Sequence, residues 1–157
     1  MKKTIVISLL LGFLISCGNS KAVSDIKKYV IQIDNRTDLT ELISEFKPEE
    51  LKTDLINEVA IQVLKDSDEK IFKVSAELVQ KDGIPLKYIF YFKNEVLNFA
   101  RMTEFNQTGK DTVMDSEYYF DGSELLKQIN RKKEEMEAET VRQVSEFYLV
   151  YGKEATD

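Results

Sequence analysis

The chain is 157 residues long, enough for one domain, with 28 acidic against 22 basic residues and a formal charge of -6. It holds no histidine, no tryptophan and a single cysteine. These counts exclude Ser-His-Asp and Cys-His catalysis in their usual forms, histidine-based zinc or iron sites and an internal disulfide, and the acidic balance disfavours nucleic acid as a partner.

Residues 1–16 open on Lys2 and Lys3, run apolar from Thr4 to Ile15 and end on Ser16. A positive start, a short apolar centre and a small residue at the end make a secretory signal, too short to span a bilayer. Leu14-Ile15-Ser16-Cys17 resembles the bacterial lipobox: an aliphatic residue, a tolerant position, a small residue and the cysteine. The resemblance implies acylation of Cys17, cleavage before it, and a mature chain beginning Cys17-Gly18-Asn19-Ser20. Buried acyl carbons contribute about 0.8 kcal/mol per CH₂, and two or more chains anchor stably. The expected location is therefore the bacterial cell envelope, lipid-anchored, at the outer membrane. Without Lys2 and Lys3, 20 basic residues remain against 28 acidic, a balance near −8.

Residues 17–24 read as a short polar tether, and residues 25–157 as a single globular domain. Ile26, Tyr29, Val30 and Ile33 fall at i, i+3, i+4 and i+7, one face of a helix, with Ser24 or Asp25 placed to cap it. A second short helix is expected from Leu39 to Lys47, with Asp38 as its N-cap and Pro48 as its stop, although its β-branched and aromatic residues also suit a strand. From Ile56 the period becomes two, with Val59, Ile61 and Val63 alternating with polar or small residues. Asp66-Ser67-Asp68-Glu69 turns the chain, Ile71 to Val79 returns, and Asp82-Gly83 turns it again.

Two aromatic hairpins follow. A two-residue turn at Asn94-Glu95 sets Phe92 opposite Leu97, Phe90 opposite Phe99, and Lys87 opposite Met102. A turn at Asp121-Gly122 sets Tyr118 opposite Leu125 and Met114 opposite Ile129. From Arg131 to Tyr151 the helical period resumes at Val141, Val144, Tyr148 and Tyr151, with Lys132 to Glu139 as a charged first half and Gly152 as the cap. The expected fold is α+β: an antiparallel β-meander of about six strands with an N-terminal and a C-terminal helix packed on it. Phe90-Tyr91-Phe92-Lys93-Asn94 and Glu117-Tyr118-Tyr119-Phe120-Asp121-Gly122 resemble, loosely, hairpin repeats of the MORN-like kind. They resemble more closely the small bacterial envelope lipoproteins of unknown function. That resemblance implies architecture and anchoring, and no activity.

Carboxylate chemistry and oxygen-ligand calcium are what the composition leaves. Asp66-Ser67-Asp68-Glu69 lacks the glycine and the distant Glu of a calcium loop, so solvated turn residues are expected and no metal or cofactor is assigned. Glu117 and Glu124 could share one side of the second hairpin in the manner of a glycosidase pair, the basis of an alternative reading as a small carboxylate-dependent hydrolase. The register above leaves both faces of the sheet apolar. If helices cover only one, Tyr91, Met102 and Tyr119 form an exposed binding surface on the other; if helices cover both, that surface vanishes. The function expected is a non-catalytic binding domain for a protein partner, held to the membrane by its lipid. A structural or assembly accessory of the outer membrane is the further alternative.

Overall fold

The computed structural model describes residues 19–46 and 56–154. Cys17 and the signal segment lie outside them. Helix α1 (19–34) is followed by seven strands: β1 (Thr40–Phe46), β2 (Ile56–Lys65), β3 (Ile71–Gln80), β4 (Pro85–Lys93), β5 (Val96–Phe105), β6 (Thr112–Asp121) and β7 (Glu124–Asn130). Helix α2 (Ala138–Glu154) closes the described chain. The strands form one antiparallel sheet in sequence order, each pairing with its neighbour. The fold is the α+β meander expected, with one strand more.

That strand is β1, read above as a helix from Leu39. Leu42, Ile43 and Phe46 fit either period, and strand pairing prevails: Leu42, Ser44 and Phe46 turn inward while Ile43 stays 64% exposed. Asp38 is held in a bidentate pair with Arg36, 3.0 and 2.7 Å, and caps nothing. The tether reading also fails, because residues 19–24 are helical and Val23, three positions before Ile26, is buried with it.

Each face of the sheet carries its own core. One contains Val63, Val74, Phe90, Phe92, Leu97, Ala100, Met102, Tyr118 and Phe120, packed under Val141, Tyr148 and Leu149 of α2. The other contains Phe72, Tyr91, Phe99 and Tyr119, packed under Val23, Ile26 and Ile33 of α1. Gly152, expected as a cap, lies inside α2, and a Cβ there would meet Ile71 Cδ1 at 3.0 Å. Its missing side chain lets the helix sit close to β3. The charged stretch 132–137 is not helical; it crosses from β7 to α2, bridging Met114 through Glu134.

The two aromatic hairpins are built alike. In the first, Lys93 pairs with Val96 and Phe92 with Leu97 around Asn94-Glu95, both at positive φ (54° and 63°) as a type I′ turn demands. Next comes a bulge: Tyr91 pairs with Phe99, leaving Asn98 over, its amide donating to the Phe120 carbonyl at 3.1 Å. The second hairpin turns at Gly122-Ser123, pairs Asp121 with Glu124 and Phe120 with Leu125, then bulges at Leu126 so that Tyr119 meets Lys127. Its turn lies one residue later than expected because Gly122 takes the first central position, at φ 60°, not the second. An extra residue reverses the side-chain alternation beyond it. Phe99 therefore lies under α1, while Met102 lies under α2 with Phe90, the reverse of the expected assignment.

Candidate functional site

The surface expected at Tyr91, Met102 and Tyr119 does not exist. Tyr91 and Tyr119 are 3% and 2% exposed beneath α1, and Met102 is fully buried on the opposite face. The polar tips of these tyrosines serve the fold. The Tyr91 hydroxyl donates to the Asp34 carboxylate, 2.8 and 2.9 Å from its oxygens, and Lys73 Nζ donates to the same carboxylate at 2.7 Å while lying 5.0 Å from the Tyr91 ring centre. The Tyr29 hydroxyl donates to the Phe92 carbonyl, tying the middle of α1 to β4. Burial, reinforced by the neighbouring carboxylate, pushes both the Tyr91 and Tyr119 hydroxyls well above the usual phenol range.

Glu117, one of the two carboxylates considered as a pair, is held in a network of bonds. Glu117 accepts from the Tyr119 hydroxyl at 2.7 Å and from Arg131 Nη2 at 2.6 Å. Arg131 also reaches Asp115 at 3.5 Å, and Arg101 grips Asp115 through two bonds of 3.0 and 3.1 Å. Glu124 pairs with Asp121, four residues along β6 from Glu117. At about 3.3 Å per residue their backbones stand about 13 Å apart along the sheet, and the Glu117 carboxylate is already engaged by Tyr119 and Arg131. The network instead ties β5, β6 and the chain after β7 together. No sequence signal announces it, because Arg101, Asp115 and Arg131 meet only once the register is known.

Burial would raise the Glu117 pKa, but the bonds from Tyr119 and Arg131 outweigh it and hold the carboxyl below its ordinary value. A depressed folded pKa stabilises the protein above the unfolded value, about 4.3, and that contribution is lost as pH falls through the folded pKa. Glu117→Gln is therefore expected to be less stable than the parent at neutral pH, with the difference shrinking toward about pH 3. Urea midpoints at the two pH values test this; a difference that stays constant would refute it.

The turn at Asp66 is self-satisfied. Asp66 Oδ1 accepts the amides of Asp68 and Lys70, each at 3.0 Å, and Glu69 pairs with Lys65. Among the described residues no group of acidic side chains is arranged to hold a metal ion.

One cleft lies at an end of the sheet. There the C-terminal ends of β1, β3 and β5 and the N-terminal ends of β2 and β4 bound a cleft of about 830 Å³. Phe46, Val59, Leu78, Val79, Pro85, Leu86 and Phe105 supply its apolar lining; Glu45, Glu58, Glu77 and Lys87 supply its charge. Glu77 and Lys87 are paired with each other across the β3–β4 ladder, leaving an acidic excess on the side of β1. Nearby Glu104 stands in the same strand row as Leu86 and Met114, and burial raises its carboxyl above the ordinary range, aided by Glu134 and Asp82. Sequence reasoning missed this cleft because two of its lining residues, Glu45 and Phe46, sit on the segment read as helical. Comparison with protein-family models, with curated proteins and with solved structures finds no match for the chain.

Proposed function

We propose that this chain is a lipid-anchored protein of the bacterial cell envelope, held at the outer membrane, whose domain binds a protein partner without catalysis. The observation that carries the binding half is the cleft of about 830 Å³, lined by three aliphatic side chains, two phenylalanines and a proline besides Val59, with unequal charge around it. An apolar lining with a few polar groups is the common composition of a recognition site. Leu14-Ile15-Ser16-Cys17 supports the anchoring half. Among the described residues no helix is long and apolar enough to cross a membrane. The hydrolase alternative is the less favoured reading, because the Glu117 carboxylate is engaged by Tyr119 and Arg131.

Mass spectrometry of the membrane fraction is expected to find a chain starting at Cys17 and carrying acyl groups, and Cys17→Ala to leave the precursor uncleaved at that site. An unmodified product cleaved elsewhere overturns the anchoring. For binding, a photo-reactive residue in place of Phe105 is expected to give a discrete protein adduct in intact envelopes, and one in place of the exposed Val150 on α2 to give none. Equal labelling from the two positions, or none from Phe105, overturns the cleft as a binding site.

A further inference from the structure

We infer that the free edge of β1 accepts an added strand from the partner: an extended segment with an apolar residue flanked, two positions to either side, by Lys or Arg. This deepens the binding reading above and rests on it. β1 is the outermost strand of the sheet, and among the described residues its only ladder is with β2. That ladder is unbroken from Thr40↔Lys65 to Phe46↔Val59, so the edge is not twisted away by a bulge.

Sheet edges are ordinarily protected by lysine, proline, bulges or a covering element, because a row of unpaired amides and carbonyls recruits another strand. The opposite edge follows this rule: β7 carries Lys127 and the bulge at Leu126. Among the described residues β1, Thr-Glu-Leu-Ile-Ser-Glu-Phe, carries no lysine, no proline and no bulge, and its charged side chains, Glu41 and Glu45, are both acidic, so they repel an acidic strand and admit a basic one. It presents Ile43, 64% exposed, between Glu41 and Glu45 on one side of the strand.

The charge pattern selects the occupant. A second copy of this chain, paired antiparallel about Ile43, would set Glu41 against Glu45 twice, and like charges directly opposite destabilise a ladder. A strand with Lys or Arg at those two places and an apolar residue opposite Ile43 satisfies all three positions. β1 also ends at the cleft, where Glu45 and Phe46 join its lining, so the added strand runs on into the apolar hollow. Main-chain pairing supplies the affinity in such strand addition, and the alternate side chains supply the specificity.

The test uses the mature chain and a fluorescent peptide, Thr-Lys-Thr-Val-Val-Lys-Thr, which places Lys against Glu45 and Glu41 and Val against Ile43. Its counterpart with Glu for both Lys is expected to bind at least about tenfold more weakly, and Glu41→Lys/Glu45→Lys is expected to invert that order. Both substituted positions are exposed, and although Glu41→Lys gives up the bond from Gln62, an unchanged far-UV spectrum of the double variant is expected. N-methylation of one alternate set of peptide amides, those facing β1, is expected to abolish binding, and methylation of the other set to preserve it. Equal binding of both methylated peptides, or of both charge forms, overturns strand addition. A dimer of the chain that Ile43→Asp dissolves would put a second copy at the edge and overturn it too. If no peptide binds while the photo-reactive residue in place of Phe105 still yields its adduct, the edge proposal falls and the binding reading stands. Absence of that adduct as well removes both.

Discussion

Phe90→Ala and Tyr91→Ala are expected to be about equally costly, each lowering stability by about 3–5 kcal/mol. The two residues are adjacent on β4 and point to opposite faces. Phe90 is fully buried, with its ring stacked 5.8 Å from Tyr148 of α2. Tyr91 is 3% exposed, with its ring edge-on to Phe99 at 5.7 Å and its hydroxyl on Asp34 of α1. A sheet covered on one face only would make one of the pair expensive and its neighbour cheap. Here each sits beneath a helix, and the loss is a large share of the roughly 5–15 kcal/mol of a typical domain. Denaturant midpoints decide the matter: a Tyr91 cost below about 1 kcal/mol, the range of ordinary surface changes, would mean that α1 does not cover the sheet.

Tyr118→Phe removes one oxygen and is expected to cost about 1–3 kcal/mol. The Tyr118 hydroxyl donates to the Met136 carbonyl at 2.6 Å and accepts the Met136 amide at 3.1 Å, and the side chain is fully buried. Phenylalanine would fill the same space and leave both backbone groups of Met136 unpaired. Since Met136 lies two residues before α2, the loss should concentrate there. Hydrogen exchange is expected to accelerate most in the first turn of α2, around Ala138 to Val141, and little in β2 or β3. Uniform acceleration throughout the chain would show that this bond does not specifically hold the helix.

Much of this architecture is legible in the amino-acid sequence. The alternation from Ile56 onward, the polar turns and the helical stripe at Val141, Val144, Tyr148 and Tyr151 lead directly to strands and a helix found where they were expected. Three features escape such reading for identifiable reasons. A bulge carries no residue signature, and one extra residue at Asn98 moved Phe99 and Met102 to faces opposite those assigned. Leu42, Ile43 and Phe46 satisfy both a helical and a strand spacing, so only pairing with β2 decides between them. The stretch from Lys132 to Glu137 has strong helix formers, yet the bridge at Glu134 and the tie at Met136 hold it extended. The binding surface suffered most from these shifts. It depended on which aromatic residues share a face and on whether α1 stops at the stripe's first apolar residue or reaches back through Val23, and the covering helix decided the outcome.

α1 comes first in the described chain, yet its tertiary bonds reach far along it. Every strand pairs with its immediate neighbour in sequence, so the meander can assemble by short steps. The bond from Tyr29 to the Phe92 carbonyl instead closes a span of 63 residues, and that from Tyr91 to Asp34 a span of 57. In proteins most of a helix's stability comes from packing its apolar face and not from intrinsic propensity. For α1 that face is Val23, Ile26 and Ile33, and it packs on Phe72, Tyr91, Phe99 and Tyr119 of the sheet. Tension applied from the N-terminal side of the described chain is therefore expected to enter through α1, and displacing that helix would bare four aromatic rings, those of Phe72, Tyr91, Phe99 and Tyr119.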